Sequence, residues 1–189
     1  MRTAGLSFLL GSAALLAACS SGTPANGALA AKQQLLIDRM EITDLLDNVY
    51  DNVETASTSD FDRYYLPDAV FDVNGTAYAG KQAILDYHAD VAKTSPHLKG
   101  SFHMLVDNVR VTVNGDTAAA RLLFTGILSP TLTRDPQLFK HGREYDLLKR
   151  QADGSWKFAK RVIVSDASAE SDFAGVERPG EDYDILKAQ

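Results

Sequence analysis

The order of helical and strand-like segments constrains the fold of this chain most. Helical patterns and one hairpin precede Pro96, and strand patterns separated by turn signals follow it. Such an order differs from the strict alternation of a doubly wound sheet and is typical of an α+β domain. A length of 189 residues suits one domain, because domains commonly hold roughly 100–200 residues. The sequence therefore predicts one α+β domain with a mostly antiparallel sheet.

The first helix is expected to begin near Lys32. Its buried face is marked by apolar residues at helical spacing, namely Ile42, Leu45, Leu46, Val49 and Val53. Tyr50 lies at the edge of this stripe, so it is a candidate pocket residue. Before this helix, residues 19–31 are small and polar and are interpreted as a flexible tether.

Two shorter helices are expected next. One covers about 60–66, with Ser59 or Asp60 as its cap and Pro67 as its end. The other covers about 81–93 and carries His88 on its apolar face.

Turn residues divide the rest of the domain into strands. Asn74-Gly75 is a strong hairpin signal because both residues tolerate positive φ. A bend is expected near Asp107-Asn108, and a loop is expected over 129–140. The predicted strands cover about 70–73, 76–78, 103–113, 117–128, 143–150 and 156–164.

The N-terminus differs in composition from the rest of the chain. Arg2 precedes an apolar run over 6–16, which is too short to span a bilayer and is typical of a secretory signal. The following Leu16-Ala17-Ala18-Cys19 resembles the lipobox of bacterial lipoproteins. This resemblance implies removal of residues 1–18, lipidation of Cys19, attachment to a membrane and a location in the bacterial cell envelope.

The charge balance is acidic. Removal of residues 1–18 takes away Arg2 alone and changes the formal net charge from −6 to −7. This balance argues against a nucleic-acid partner and against a basic membrane-binding face, so lipid alone is expected to hold the protein at the membrane. The remaining boundaries are a domain over 32–165 and an acidic tail over 166–189.

Several short motifs together resemble the SnoaL-like branch of the NTF2-like superfamily over about residues 35–165. They are Ile42-Thr43-Asp44-Leu45-Leu46, Ser59-Asp60-Phe61-Asp62, Tyr65-Leu66-Pro67-Asp68-Ala69-Val70, Tyr78-Ala79-Gly80-Lys81-Gln82-Ala83-Ile84, His103, Asn108-Val109-Arg110-Val111 and Asp153-Gly154-Ser155-Trp156-Lys157-Phe158-Ala159-Lys160-Arg161. The resemblance implies a cone-shaped sheet wrapped around N-terminal helices, an internal pocket for a small molecule and no cofactor. Such sheets often pair, so a homodimer is one expectation.

The resemblance also proposes site residues. Dehydratase and dehydrochlorinase members use a His at the start of a pocket strand as base, and His103 matches it by position. Their orienting Asp at the end of the first helix is not matched, because residues 55–57 read Thr-Ala-Ser. Tyr50, Tyr65, Tyr145 and His88 are candidate substrate-binding residues. The four histidines lack zinc-ligand spacing, so no metal site is predicted.

Two functional classes remain open from the sequence. One is a cofactor-free lyase or isomerase acting on a small, fairly apolar molecule with His103 as base. The other is a ligand-binding or accessory lipoprotein that keeps the pocket without chemistry. A carboxylate within reach of an inward His103 would favour the first class, whereas an apolar pocket or a filled cone would favour the second.

Overall fold

The structure, a computed structural model, describes residues 24–58, 60–168, 179–180 and 182–188. Cys19, the segment 1–18 and Ser59 lie outside these residues, so the predictions made for them stay predictions. The helices are α1 (Pro24–Thr55), α2 (Phe61–Tyr64) and α3 (Lys81–Ala92), and a 3₁₀ turn covers Pro96–Lys99. The strands are β1 (Tyr65–Val73), β2 (Thr76–Ala79), β3 (Ser101–Asn114), β4 (Thr117–Ser129), β5 (Gln137–Arg150) and β6 (Trp156–Ala167).

The six strands form one curved sheet in the order β2-β1-β6-β5-β4-β3. Only the β1–β6 pair is parallel within the described residues, and the other neighbouring strands run antiparallel. The main core lies between the helices and the inner face of the sheet, where α1 contributes Ile42, Leu46 and Val49. The predicted α+β class and mostly antiparallel sheet are therefore confirmed.

The first helix begins earlier than expected. It starts at Pro24 rather than near Lys32, so it takes in most of the segment 19–31 that was interpreted as a tether. Proline is favoured in the first turn of a helix, and the alanines that follow it are the strongest helix formers. The small-residue composition of this segment therefore did not indicate its helix. Among the helices of the described part of the chain, none has the length and hydropathy needed to cross a membrane.

A buried ion pair joins α1 to the C-terminal end of β5. Asp38 is almost fully buried and accepts hydrogen bonds from Nη1 and Nη2 of Arg150 at 2.6 and 2.7 Å. These bonds lower the pKa of Asp38. The same guanidinium stacks over the Trp156 ring at 4.4 Å. This two-point contact fixes the direction in which α1 crosses the sheet.

The second helix is shorter than expected, because Tyr65 already belongs to β1. Pro67 lies inside β1 rather than at a helix end, at a point where the β1–β6 register is interrupted. Proline lacks the N–H that a regular ladder needs, so it is tolerated at such an irregularity. Asp60 has helical backbone angles and makes no side-chain cap, whereas a capping residue normally has extended angles.

The predicted hairpin and bend are both confirmed. Asn74 and Gly75 have positive φ of 53° and 92° and join β1 to β2. Asn108 also has a positive φ of 53°, and the pairing of β3 with β4 gains one residue between Asp107 and Arg110. This extra residue is a β-bulge, and it reverses which face the alternate side chains of β3 occupy.

The bulge divides β3 into two halves of opposite parity. Before it, the even-numbered Phe102, Met104 and Val106 are the more buried side chains; after it, the odd-numbered Val109, Val111 and Val113 are. His103 shares odd numbering with the second set but precedes the bulge. It therefore lies on the outer face of the sheet.

The C-terminal strands extend further than the pattern indicated. β5 begins at Gln137 inside the expected loop, and β6 continues to Ala167. Ile185 is buried against the outer face of the sheet, and the Tyr183 ring contacts Tyr145 at a centroid distance of 5.2 Å. Part of the segment 166–189 thus packs on the domain.

Gly142 offers a test of how tightly β5 packs. A Cβ at this position would collide with the backbone oxygen of Val164 and the Phe124 ring. We expect Gly142→Ala to lower the free energy of unfolding by at least about 2 kcal/mol. Gly27→Ala, in an open part of α1, is the control and should raise it by about 0.5–1 kcal/mol. Urea unfolding of both variants measures the difference, and equal stabilities would contradict this packing.

Candidate functional site

A cavity of about 70 Å³ lies between α1, α3 and the inner face of the sheet. Its apolar wall consists of Val53, Phe71, Val73, Val91, Met104, Phe124 and Ile163. Its polar groups come from Tyr50, Tyr87, His88, Lys140, Arg161, Ser165 and Ser168. A water-sized probe occupies roughly 10–15 Å³, so the space suits a ligand of a few heavy atoms.

A buried guanidinium organises the polar end of the cavity. Arg161 on β6 donates through Nε and Nη2 to one oxygen of Glu144, at 2.9 and 2.6 Å. The other Glu144 oxygen accepts the hydroxyl hydrogen of Tyr50 at 2.5 Å. Arg161 and Glu144 are nearly inaccessible to solvent. Both oxygens of the carboxylate are therefore occupied, and α1 is bonded to β5 through Tyr50.

The same guanidinium extends the network to α3. Arg161 Nη1 donates to the Tyr65 hydroxyl oxygen at 2.7 Å, and that oxygen is 3.2 Å from Nε2 of His88. Because Arg161 already supplies a hydrogen to Tyr65, the phenol uses its own hydrogen toward His88. Nε2 of His88 is then the acceptor, and the ring hydrogen of the neutral imidazole lies on Nδ1.

Burial keeps the ring of His88 neutral. Desolvation, followed by the positive charges of Arg161 and Lys140, lowers the pKa of His88 to about 3. The ring stacks on Phe61 at 3.8 Å and on Phe71 at 5.4 Å, so its plane is fixed from two sides. Among the described residues, the side-chain hydrogen bond of this ring is the one between Nε2 and Tyr65. His88 is thus a fixed, neutral hydrogen-bond donor beside the cavity.

Asp146 is a second buried carboxyl next to Arg161. Its Oδ1 is 3.4 Å from Arg161 Nε, too far for a strong hydrogen bond. Burial, followed by the charge of Glu144, raises the pKa of Asp146 well above its usual range. Burial likewise raises the pKa of Tyr65 to about 12. With Asp146 protonated, the cluster of Arg161, Glu144 and Asp146 has no net charge.

The structure brings some of the predicted binding residues together and separates others. Tyr50 and His88 border the cavity, and Tyr65 lies directly behind His88 in the network. Tyr145 does not border the cavity. It lies on the opposite face of the sheet, where its ring contacts Tyr183. The reason is strand parity, because Glu144 and Asp146 occupy the inner face and their neighbour must point outward.

His103 also lies outside the cavity, and the expectation that it faces the pocket is wrong. Its side chain is 60% exposed, and its neighbour Met104 occupies the inner face instead. The missing carboxylate partner is nevertheless present: Oε1 of Glu54, in the last turn of α1, is 2.8 Å from His103 Nδ1. Glu54 directly precedes the segment 55–57, where the resemblance to the dehydratase members placed the orienting acid.

The central residues of the network were not identified from the sequence. Glu144, Asp146 and Arg161 resemble ordinary surface charges within amphipathic strands. One feature of the sequence did indicate them. Glu144 and Asp146 alternate with Leu148 on the same face of β5, and two acidic residues on the buried face of a strand are unusual. Among the described residues, no three His, Cys, Asp or Glu side chains are grouped to hold a metal ion.

Comparisons with known proteins place this geometry in context. A family model described as a SnoaL-like domain matches residues 34–162, more than half of the chain. No curated protein sequence matches the chain.

Solved structures share the fold at low sequence identity. An NTF2-like protein with a cystatin-like fold from Novosphingobium aromaticivorans is 21% identical, with 82% of this chain and 97% of that chain covered and a TM-score of 0.66. A scytalone dehydratase candidate from the same organism is 14% identical, with 79% and 97% covered and a TM-score of 0.63. ActVI-ORFA from Streptomyces coelicolor is 14% identical, with 69% and 96% covered and a TM-score of 0.60. The helix-and-sheet cone expected from the sequence is confirmed.

The low pKa of His88 has a consequence for stability in acid. Below about pH 6.5 the unfolded chain binds a proton at this ring, whereas the folded protein does not until about pH 3. The contribution of the neutral ring is therefore complete above pH 6.5 and is lost on acidification, by up to about 1.4 kcal/mol per pH unit. Urea unfolding of the parent and His88→Gln from pH 7 to 4 should show a shallower decline for the variant. Parallel curves would show that His88 does not resist protonation.

Proposed function

The chain belongs to the SnoaL-like family, and from this premise we propose that its domain binds one small, largely apolar molecule with a hydrogen-bond acceptor in the cone cavity. The neutral His88 ring beside an apolar wall is the observation that carries this proposal. A ketone, ester or ether oxygen suits such a donor, because a neutral pair costs less to desolvate than a charged one.

The polar network supports a neutral ligand rather than an anion. Arg161 borders the cavity, but its charge is already compensated by Glu144 at hydrogen-bond distance. The raised pKa of Asp146 favours its neutral form, which adds no further negative charge. The Arg161 cluster therefore offers a carboxylate ligand little compensation for its desolvation, and the cationic group of the lining outside this cluster is Lys140.

Cofactor-free lyase or isomerase chemistry is a second candidate, favoured by the hydrogen-bond chain from Tyr65 to His88. A neutral imidazole that donates a hydrogen bond can polarise a carbonyl and stabilise an enolate. In this version His88, rather than His103, acts on the substrate. Loss of water from 3-hydroxycyclohexanone, followed by the absorbance of the enone, is a direct assay. If the parent protein turns over this substrate and His88→Phe does not, the lyase chemistry is assigned to His88. If the parent protein binds the substrate without turnover, the function is ligand binding alone.

Ligand binding is tested with cyclohexanone and methylcyclohexane as probes. We expect cyclohexanone to shift the NMR signals of the Met104 methyl group and the His88 ring, with Met40 on the exposed part of α1 as an unshifted reference. His88→Phe should weaken cyclohexanone binding about fivefold, the value of one hydrogen bond, and should leave methylcyclohexane unchanged.

Two variants control for the location of the probe. Val91→Phe fills the cavity and should abolish binding of both probes, whereas Leu105→Phe on the outer face of β3 should change neither. Binding that survives Val91→Phe, or shifts confined to the outer face, would contradict the proposed site.

We further propose that the domain is held at a membrane of the bacterial cell envelope by lipid on Cys19. This rests on the position of the sole cysteine directly after Leu16-Ala17-Ala18. The cavity residues Tyr50 and Val53 lie near the other end of α1 from Pro24, so the helix would separate the cavity from the point of attachment by roughly 40 Å along its axis, at a rise of about 1.5 Å per residue. Two or more acyl chains are sufficient for stable attachment.

Lipidation is tested by growing cells with an alkyne fatty acid and detecting labelled protein. We expect the parent protein to be labelled and to sediment with membranes, and Cys19→Ala to lose both properties. Ser20→Ala, next to the modified residue, is the control and should keep them. Equal labelling of the parent and Cys19→Ala would exclude this attachment without affecting the ligand proposal.

A further inference from the structure

Three side chains on the outer surface, away from the cavity, have the arrangement of a nucleophile, a base and an orienting acid. Ser101 Oγ is 3.0 Å from His103 Nε2, and His103 Nδ1 is 2.8 Å from Oε1 of Glu54. We propose that these residues form a serine esterase site, with Ser101 as the nucleophile. This site is independent of the cavity and of the proposed ligand.

The roles follow from the hydrogen bonds. The carboxylate of Glu54 can only accept, so His103 presents Nδ1–H to it and has its lone pair on Nε2. That lone pair faces Ser101 Oγ, so the hydroxyl hydrogen of Ser101 is directed at the base. A nucleophile bonded to a base that is itself oriented by a third group is the general signature of nucleophilic catalysis.

Glu54 is held in place by a second contact. Its Oε2 accepts the backbone N–H of Met104 at 2.9 Å. The bond is available because β3 is the last strand of the described sheet, so alternate N–H groups of β3 point away from β4. The end of α1 therefore binds the open edge of β3 through one carboxylate oxygen and His103 through the other.

The same edge supplies a donor for the developing oxyanion. N–H groups along a strand alternate in direction, so Phe102, two residues before Met104, also directs its N–H to the open edge. The N–H of the residue after the nucleophile is the donor used in the α/β-hydrolase oxyanion hole. Phe102 has this position relative to Ser101.

An apolar surface for the acyl group adjoins the three residues. His103 pairs with Ile127 of β4, and Ile127 pairs with Leu138 of β5, so these side chains share the outer face. Leu138 and Leu105 are 61% and 51% exposed. A shallow, exposed surface of this kind suits small esters with a short acyl chain and an accessible carbonyl.

The reaction balances without any co-reactant except water. Ser101 Oγ forms a bond to the ester carbonyl carbon while its proton passes to His103 Nε2. The C–O bond to the alcohol then breaks, and His103 returns the proton to the departing alkoxide. Water, deprotonated by the same nitrogen, attacks the acyl-serine and releases the carboxylic acid and free Ser101.

The test uses 4-nitrophenyl acetate with the purified chain, read by nitrophenolate release and by mass spectrometry of the acylated protein. We expect acetylation at Ser101, an initial burst equal to the enzyme concentration, and a loss of at least about tenfold in rate for Ser101→Ala. Ser129→Ala is the matched control, because Ser129 pairs with Ser101 across β3 and β4. It should retain the parent rate.

Glu54→Gln separates a structural role from a catalytic one. The glutamine oxygen can still accept the backbone N–H of Met104, but its NH₂ group then faces His103 Nδ1. Because Nδ1 must accept a hydrogen bond from that NH₂, the ring hydrogen of the neutral imidazole moves to Nε2. We expect a folded protein by circular dichroism that has lost the burst. A Ser101→Ala variant that hydrolyses the ester at the parent rate, with acetyl on His103 or on lysines, would overturn the proposal. If cyclohexanone and methylcyclohexane fail to bind in the cavity, the esterase proposal is unaffected.

Discussion

The buried charge of Arg161 is the constraint on which the rest of the domain depends. A guanidinium inside a cone of apolar side chains costs several kcal/mol in desolvation unless it is fully paired. Glu144 on the neighbouring strand and Tyr65 on β1 supply that pairing. Tyr50 and His88 then bond to these partners, so α1, α3 and three strands meet at one cluster.

This pairing also determines what the cavity offers to a ligand. Glu144 uses both oxygens inside the protein, and the raised pKa of Asp146 favours its neutral form, so the Arg161 cluster presents little net charge to the cavity. The ring of His88 borders this cavity and is fixed by two aromatic contacts. A rigid donor in an apolar space recognises a neutral acceptor at little cost in conformational entropy.

The sheet separates two regions of possible chemistry on its opposite faces. The inner face holds the Arg161 network, whereas the outer face holds Ser101 and His103 near the edge of β3. The bulge at Asn108 causes this division, because it shifts the alternation of β3 by one residue. Without the extra residue, His103 would share the inward face of Val109 and Val111.

The sequence by itself determined the helices, the Asn74-Gly75 hairpin, the long strands and the bend, because these depend on local periodicity and turn chemistry. Tyr50 and His88, selected from the sequence because each lies on or beside the apolar face of a helix, border the cavity, and their role in binding stays a prediction. Only the tertiary structure decided the pairing of Arg161 with Glu144 and of His103 with Glu54. Those contacts join residues far apart in the chain, and the faces on which they lie depend on strand register and on one bulge, which composition and periodicity leave open.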